Sequence, residues 1–214
     1  MGLDDRVTAA LHWTVIMPVK SLSAAKSRLA HAHPGALSRA FLLDALDAVL
    51  ATPEVTEVIV VTGDPEVAIA AAESGCRTVD DDGHPGINAA AAWGARNRGA
   101  SGGVAVMVSD LPCLTSSACA TVLELAARHS TSFLPDADGQ GTTMWFATPG
   151  HEVRTAFGVE SRAAHAHAGA VDLVTRHPEA ADALIPARRD VDTLADLTDA
   201  AAIGVGTHCR ALLD

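Results

Sequence analysis

The sequence predicts an α/β fold with a mostly parallel central sheet, helices on both faces and a small antiparallel addition. Short, continuously apolar and β-branched runs alternate with longer alanine-rich segments, which is the order expected of β-α-β units. Two further apolar runs flank a glycine-rich turn near residue 140, a pattern typical of a hairpin. The 214 residues, 49% of them hydrophobic, suffice for one sizeable core. We therefore expect one domain over residues 13–214, preceded by an N-terminal extension over residues 1–12.

The elements follow in order along the chain. The apolar runs at 13–19, 57–63 and 103–110 predict strands that are buried on both faces of the sheet. Alanine-rich segments at 36–51, 64–75 and 86–99 predict helices, and Asp64 followed by Pro65 is typical of a helix start. Residues 131–150 predict the antiparallel hairpin. Residues 183–204 predict a strand that runs into a capped helix.

Composition and charge exclude several classes of function. The chain has 26 acidic and 15 basic residues and only 3% aromatic residues, which argues against a broad nucleic-acid surface. No apolar run approaches membrane-spanning length, and the first residues are acidic where a signal peptide would be basic. The cysteines form neither a C-x-x-C pair nor a regular framework, which indicates reduced and mostly buried thiols: Cys76, Cys113, Cys119 and Cys209. We expect a soluble, cytoplasmic protein that binds neither nucleic acid nor membrane.

A cluster of cations follows the first predicted strand in a chain of formal net charge −11. Lys20, Lys26 and Arg28 fall within nine positions, and their spacing would spread them around a regular helix. They belong either to a solvated loop or to a loop that converges on an anion. Because ligands of open α/β sheets bind at the carboxyl ends of the strands, the position favours an anion site, most simply for a polyphosphate.

Two further strand ends carry aspartates. Asp110 ends the run at 103–110, directly after its apolar residues, and the next helix begins near Thr115, too far on for Asp110 to cap it. Asp190 and Asp192 are predicted to end a strand, two positions apart and on the same side. Asp192 or Thr193 can cap the following helix, which leaves Asp190 for a metal. Two carboxylates, completed by waters and phosphate oxygens, are the ligands that Mg²⁺ prefers.

Small polar residues in glycine-rich segments give weaker signals. Asn88 lies near a helix start and is either a cap or a ligand. Thr142, Gly158 and Ser161 suit a phosphate or a carboxylate, although each also fits an ordinary turn, and Ser161 also fits a helix cap. The histidines at 165 and 167, in an alanine-rich segment, are predicted to be solvated rather than metal-bound.

These segments together resemble a known family. "PVKSLSAAKSRLA", "GINAA", "SDLPCL", "GTT", "FGVES" followed by "HAGA", and "DVDTLADL" occur in the order and approximate spacing of the guanylyltransferases of coenzyme F-420 biosynthesis. The chain most resembles the actinobacterial branch, the phosphoenolpyruvate guanylyltransferases, whose archaeal relatives are 2-phospho-L-lactate guanylyltransferases. The resemblance extends from about Val15 to about Ile203. It implies a single-domain nucleotidyltransferase of the glycosyltransferase-A-like kind.

The resemblance also implies roles for individual residues, with Mg²⁺ as cofactor. GTP-binding positions of the family fall on Pro18, Lys20, Lys26, Arg28 and Asn88. The two metal-binding aspartates fall on Asp110 and Asp190, which together with Lys20 and Lys26 would be the catalytic residues. Residues that bind phosphoenolpyruvate fall on Thr142, Gly158 and Ser161.

The resemblance thus predicts transfer of GMP from GTP to phosphoenolpyruvate, with release of diphosphate. The implied partners are GTP, phosphoenolpyruvate and the downstream transferase that consumes the activated product. Three alternatives stay open: 2-phospho-L-lactate as acceptor, another nucleotidyltransferase that uses CTP or a sugar phosphate, and a non-catalytic nucleotide-binding protein. Two convergent carboxylates argue against the last alternative, because a protein that only binds nucleotide has little need of them.

Overall fold

A computed structural model describes residues 11–21, 34–99 and 101–213, which contain one seven-stranded mixed sheet with helices on both faces. The strands are β1 (Trp13–Pro18), β2 (Val55–Val61), β3 (Arg77–Val79), β4 (Gly103–Met107), β5 (Thr131–Pro135), β6 (Thr142–Ala147) and β7 (Val171–Asp172). The helices are α1 (Pro34–Leu50), α2 (Pro65–Glu73), α3 (Gly86–Arg96), α4 (Ser116–Ala126), α5 (Ser161–His167), α6 (Leu173–Arg176), α7 (Ala181–Arg188), α8 (Leu194–Ile203) and α9 (Thr207–Leu213). A short 3₁₀ helix at Pro178–Ala180 precedes α7.

The order of the strands places several loops at one edge of the sheet. The sheet runs β3-β2-β1-β4-β6-β5-β7, and β1 is parallel to both β2 and β4. Strand β6 is antiparallel to β4 and β5, so it begins where β4 ends, and the amide of Val108 donates to the carbonyl of Thr143 at 3.0 Å. The residues after β1, β2, β3 and β4 and the first residue of β6 therefore share one edge.

The core lies in two layers, one on each face of the sheet. All six residues of β1 are buried, and successive side chains point to opposite faces. Val15 and Met17 pack with Leu42 of α1 and Val122 of α4, whereas Ile16 packs on the other face with residues of α3. Burial on both faces explains why β1 is apolar throughout.

A buried carboxylate joins α1 to α9. Asp44 of α1 is 4% exposed, and its two oxygens accept the amides of His208 and Cys209, each at 2.9 Å. Burial raises the pKa of Asp44. A Cβ at Gly206 would collide with the Asp44 carboxylate, so only glycine fits this approach. The side chain of Asp44 thus holds α9 against α1, although the two helices are far apart in the sequence.

Most of the predicted elements are confirmed, with one error. The strands β1, β2 and β4, the helices α1 to α3 and the hairpin of β5 and β6 lie where the sequence predicts them. The strand predicted within 183–204 is wrong, because α7 occupies this segment and α8 follows it. Leu184 and Ala187 are buried, whereas Ile185 between them is 43% exposed, which is helical rather than strand spacing. Asp190 and Asp192 therefore follow a helix and do not end a strand.

The thiols agree with the prediction. All four cysteines are free and buried, and burial raises the pKa of Cys76, Cys119 and Cys209 to about 11 and that of Cys113 to about 12.

In the part of the chain that the structure describes, no helix has the length and apolarity needed to cross a membrane. The predicted N-terminal extension lies almost entirely outside the described residues, and its boundary stays a prediction.

Candidate active site

A cleft of about 1020 Å³ opens at the carboxyl ends of β1, β2 and β3. Lys20 is exposed at this cleft, two residues after the buried Pro18 that ends β1. The other residues that line it come from the loops after β1, β2 and β3: Ser21, Gly63, Asp64, Pro65, Glu66, Asp81, Gly83, His84, Pro85 and Gly86. Lys26 and Arg28 lie outside the described residues, so the convergence of the three cations stays a prediction.

The walls of the cleft are held by short local contacts. Asp64 caps α2 by accepting the amide of Glu66 at 2.9 Å, with Pro65 in the first turn, as predicted. A Cβ on Gly63 would lie 3.0 Å from Oδ1 of Asp81, a tight contact that favours glycine where the loops after β2 and β3 approach each other. Glycines, prolines and acidic side chains therefore make up most of the cleft wall, together with Lys20 and His84.

Asp110 and Asp190 lie together at the end of β4, the strand next to β1. The amide of Val191 donates to the carbonyl of Asp110 at 3.1 Å, which joins the two segments. Burial, followed by the charges of Asp110 and Asp136, raises the pKa of Asp190 to about 7. A bound cation would relieve this repulsion between the carboxylates.

Neither aspartate is needed as a helix cap. Thr115 caps α4 by accepting the amide of Ala118 at 3.1 Å. Thr193 caps α8 in a capping box with Asp196, whose carboxylate accepts the amide of Thr193 at 2.8 Å. Asp192 is exposed. Of the two residues that the sequence offers as the cap of α8, Asp192 and Thr193, the cap is therefore Thr193.

The donor set near Asp110 and Asp190 fits a hard cation that keeps other ligands. Among residues 11–21, 34–99 and 101–213, no group of three or more His, Cys, Asp or Glu side chains is arranged to hold a metal. Two carboxylates leave coordination positions for waters and phosphate oxygens, which is how Mg²⁺ is commonly bound at phosphate-transfer sites. The residues present thus fit a cation shared between protein and substrate.

The first residue of β6, the loop before α5 and the first residue of α5 contribute Thr142, Gly158 and Ser161, respectively. We call these three residues the β6–α5 wall. Thr142 and Ser161 are buried, and Gly158 is exposed with a φ of 136°, which favours glycine. Ser161 is the first residue of α5, and the N-cap position is Glu160, so Ser161 is not the cap. A Cβ on Gly141 would lie 3.8 Å from Oγ of Ser161, which shows that the turn before β6 meets α5.

Asn88 connects the cleft to this wall. Its Oδ1 accepts the amide of Phe157 at 2.8 Å, and its Nδ2 donates to the carbonyl of Phe157 at 2.9 Å. The N-cap position of α3 is Pro85, so Asn88 does not cap the helix. The side chain holds the segment before Gly158 against α3, and a contact of Asn88 with GTP stays a prediction.

Two residues that sequence reasoning missed shape the turn before β6. The carboxylate of Asp136 accepts the amides of Gln140 at 2.9 Å and Gly141 at 2.7 Å. Arg188, at the end of α7, donates to the carbonyls of Pro135 at 3.0 Å and Asp136 at 2.7 Å. The segment "DADGQG" carries a signal for the first of these, because aspartate commonly opens a glycine-containing turn.

His165 is the clearest error of the sequence reading. It was predicted to be solvated, but it is fully buried, whereas His167 is exposed. Its Nε2 accepts the amide of Ala156 at 2.7 Å, and its Nδ1 lies 3.0 Å from Oγ1 of Thr142. Ser161 and His165 lie four residues apart in α5 and hence on one face. That spacing was the available signal for a buried histidine.

The fold and the arrangement of this edge define the class of the protein. A family model described as "MobA-like NTP transferase domain" matches residues 37–180. A solved nucleotidyl transferase from Methanothermobacter is similar in fold, with a TM-score of 0.60 at 17% identity, covering 90% of this chain and 97% of that one. The chain therefore has a nucleotidyltransferase domain of the MobA-like class.

Curated relatives narrow the class to a family. A phosphoenolpyruvate guanylyltransferase from Salinispora arenicola is 44% identical over 206 residues, covering 94% of this chain and 92% of the relative. One from Streptomyces avermitilis is 43% identical over 209 residues, covering 94% of each chain. The chain belongs to the phosphoenolpyruvate guanylyltransferase family.

Proposed function

We propose that the protein transfers GMP from GTP to phosphoenolpyruvate and releases diphosphate. The observation that carries this proposal is that Asp110 and Asp190 lie together at the end of β4, the strand between β1 on the side of the cleft and β6 on the side of the β6–α5 wall. A cation held there would lie where the phosphates of two substrates can meet. The names of the relatives supply the identity of the two substrates.

The reaction needs no side-chain nucleophile. A phosphate oxygen of phosphoenolpyruvate attacks the α-phosphorus of GTP in line, and the bond from that phosphorus to the diphosphate oxygen breaks. Catalysis then consists of positioning the two substrates and neutralising charge on the transferring group. Mg²⁺ bound by Asp110 and Asp190 would supply that neutralisation.

Cations hold the triphosphate in this proposal. Lys20 is exposed at the cleft, and Lys26 and Arg28 are predicted to join it from the same loop. Their charges would bind the β- and γ-phosphates and stabilise the departing diphosphate. Such local cations are needed because the chain as a whole is strongly acidic and would repel GTP.

The rest of the cleft suits the base. Asp64, Glu66 and Asp81 line it, and ionised carboxylates only accept hydrogen bonds. Guanine presents two neighbouring N–H donors on one edge, which match the two oxygens of a carboxylate. Pro18 and Asn88 are the remaining predicted GTP-binding residues, at the end of β1 and in the first turn of α3.

The β6–α5 wall suits a small, rigid anion. Phosphoenolpyruvate carries a phosphate and a planar carboxylate, and we assign their recognition to Thr142, Gly158 and Ser161. Two short hydroxyl side chains and an open glycine backbone allow a small acceptor to approach closely. We further infer that Mg²⁺ is the metal and that the enzyme works in the cytoplasm in coenzyme F-420 biosynthesis, ahead of a transferase that consumes the product.

A matrix of substrates tests the proposal. Each of GTP, ATP, CTP and UTP is incubated with Mg²⁺ and with phosphoenolpyruvate, 2-phospho-L-lactate or 3-phosphoglycerate, and diphosphate release is measured. ³¹P NMR then shows whether a new P–O–P linkage joins the nucleotide to the acceptor. We expect the highest kcat/KM for GTP with phosphoenolpyruvate. Diphosphate release without a joined product, or no release with any pair, contradicts the proposal.

A further inference from the structure

His165 lies at the centre of the β6–α5 wall without any exposed surface. The rings of Phe133 and Phe157 flank its imidazole, each with a centroid distance of 5.5 Å, one tilted and one edge-on. Burial lowers the pKa of His165 to about 4. The imidazole is therefore neutral at neutral pH and carries one proton.

The two hydrogen bonds of the ring fix where that proton is. A backbone amide can only donate, so Nε2 accepts from Ala156 at 2.7 Å and carries no proton. The proton is then on Nδ1, which donates to Oγ1 of Thr142 at 3.0 Å. Because Thr142 accepts this bond through its oxygen, its own hydroxyl proton is directed to another acceptor.

We propose that His165 is a positioning residue that makes the Thr142 hydroxyl a hydrogen-bond donor to the anionic acceptor. The inference rests on the proposed function, since it assigns a role within the acceptor site. The same ring also holds the amide of Ala156 and thereby the segment that leads to Gly158. The side chain of Asn88 holds the backbone of the next residue, Phe157, through two hydrogen bonds. The His165 imidazole thus fixes both the orientation of the Thr142 hydroxyl and the position of the loop that leads to Gly158.

Two substitutions separate the two bonds of the ring. The amide nitrogen of asparagine is as many bonds from Cβ as Nδ1 of histidine, so His165→Asn keeps a donor to Thr142 and loses the acceptor for Ala156. Glutamine places its amide near Nε2, so His165→Gln keeps the acceptor and loses the donor. His167→Gln, an exposed change in the same helix, is the matched control.

Kinetics with GTP, Mg²⁺ and phosphoenolpyruvate distinguish positioning from packing. We expect His165→Gln to lower kcat/KM for phosphoenolpyruvate roughly ten- to hundredfold with the KM for GTP unchanged, as loss of a hydrogen bond to a charged group predicts. His165→Asn retains more activity than His165→Gln, and His167→Gln matches the wild type. The double variant His165→Gln with Thr142→Val is no worse than Thr142→Val alone, because both changes remove the same donor.

Additive losses in that double variant overturn the inference, as does an equal effect on the GTP and phosphoenolpyruvate constants. Thermal denaturation of each variant checks that it folds.

If both His165 variants are unfolded, long-range ¹H–¹⁵N correlation spectra of the histidines in the wild-type protein test the inference instead. An Nδ1-protonated ring whose resonances shift on addition of phosphoenolpyruvate is expected, and an Nε2-protonated ring or an unchanged spectrum overturns the inference. A wild-type protein that joins GMP to no acceptor refutes the proposed function, whereas the position of the proton on His165 is read without turnover.

Discussion

The two sides of the candidate site are built differently. The cleft at the ends of β1, β2 and β3 is open, and glycines, prolines, three carboxylates, Lys20 and His84 contribute to its lining. The β6–α5 wall is mostly buried, and His165 and Asn88 fix it through hydrogen bonds of 2.7 to 3.0 Å. An open cleft suits a large ligand that is recognised by shape and charge, and a fixed wall suits a small one that must be oriented.

The strongest test of this comparison lies on the boundary between the two sides. Asp110→Asn and Asp190→Asn should each lower kcat roughly a thousandfold, because loss of one carboxylate removes several kcal/mol of charge stabilisation through the metal. Steady-state diphosphate release measures the effect, and Asp192→Asn, an exposed position two residues on, is the control. An inactive Asp192→Asn beside an active Asp190→Asn would identify Asp192 as the second ligand instead.

The second test concerns the stability of the wall and its dependence on pH. The pKa of His165 is about 4 in the folded protein and about 6.5 when unfolded, so unfolding takes up a proton between these values. The contribution of the neutral imidazole is complete above pH 6.5 and is lost as the pH falls toward 4, by about 3 kcal/mol in all.

Denaturant unfolding of the wild type and of His165→Asn from pH 7.5 to 4 measures this contribution. The raised pKa of Asp190 acts in the opposite direction over the same range, so the difference between the two proteins is the informative quantity. A difference in the free energy of unfolding that does not change with pH contradicts a neutral, buried His165.

A third test addresses the acceptor alone. Ser161→Ala should lower kcat/KM for phosphoenolpyruvate roughly ten- to hundredfold and leave the KM for GTP unchanged, because one hydrogen bond to a charged group is lost. Ser161 is buried at the first position of α5, and the N-cap is Glu160, so loss of a cap does not complicate the result. Reduced thermal stability with normal acceptor kinetics would place the acceptor elsewhere.

The smallest effect is expected on the open side. Lys20→Ala should weaken GTP binding and lower kcat together, roughly tenfold, because the proposed function makes this exposed lysine one of several cations that bind the phosphates. Lys26→Ala and Arg28→Lys test the neighbouring positions in the same assay. Unchanged kinetics in Lys20→Ala and Lys26→Ala would indicate that these cations belong to a solvated loop and do not bind GTP.

Where local pattern decides structure, the sequence was sufficient. Strand β1 is apolar throughout because both of its faces are buried, and Thr193 with Asp196 spells out a capping box. A strand was predicted wrongly in place of α7. This helix is short and contains Pro186, so the spacing of its apolar residues does not distinguish a helix from a strand. Even so, Asp110 and Asp190 lie together, because the backbone bond from Val191 to Asp110 joins their segments.

The wall was less accessible to sequence reasoning. The burial of His165 depends on Phe133, which lies in another element, and its bond partner Thr142 is 23 residues away. Nothing in the residues around His165 reports such contacts, apart from its spacing of four from Ser161. Long-range polar contacts of this kind arise only when the elements pack together.

The carboxylate of Asp44 has a consequence for how the chain assembles as it leaves the ribosome. Its partners, the amides of His208 and Cys209, lie 164 and 165 positions further along the chain. During synthesis, α1 is therefore made long before the two amides that donate to the Asp44 carboxylate. Until those amides are present, the carboxyl group must stay hydrated or protonated. Docking of α9 supplies both amides at once, so the carboxylate of Asp44 gains these hydrogen bonds only after residues 208 and 209 have been synthesised.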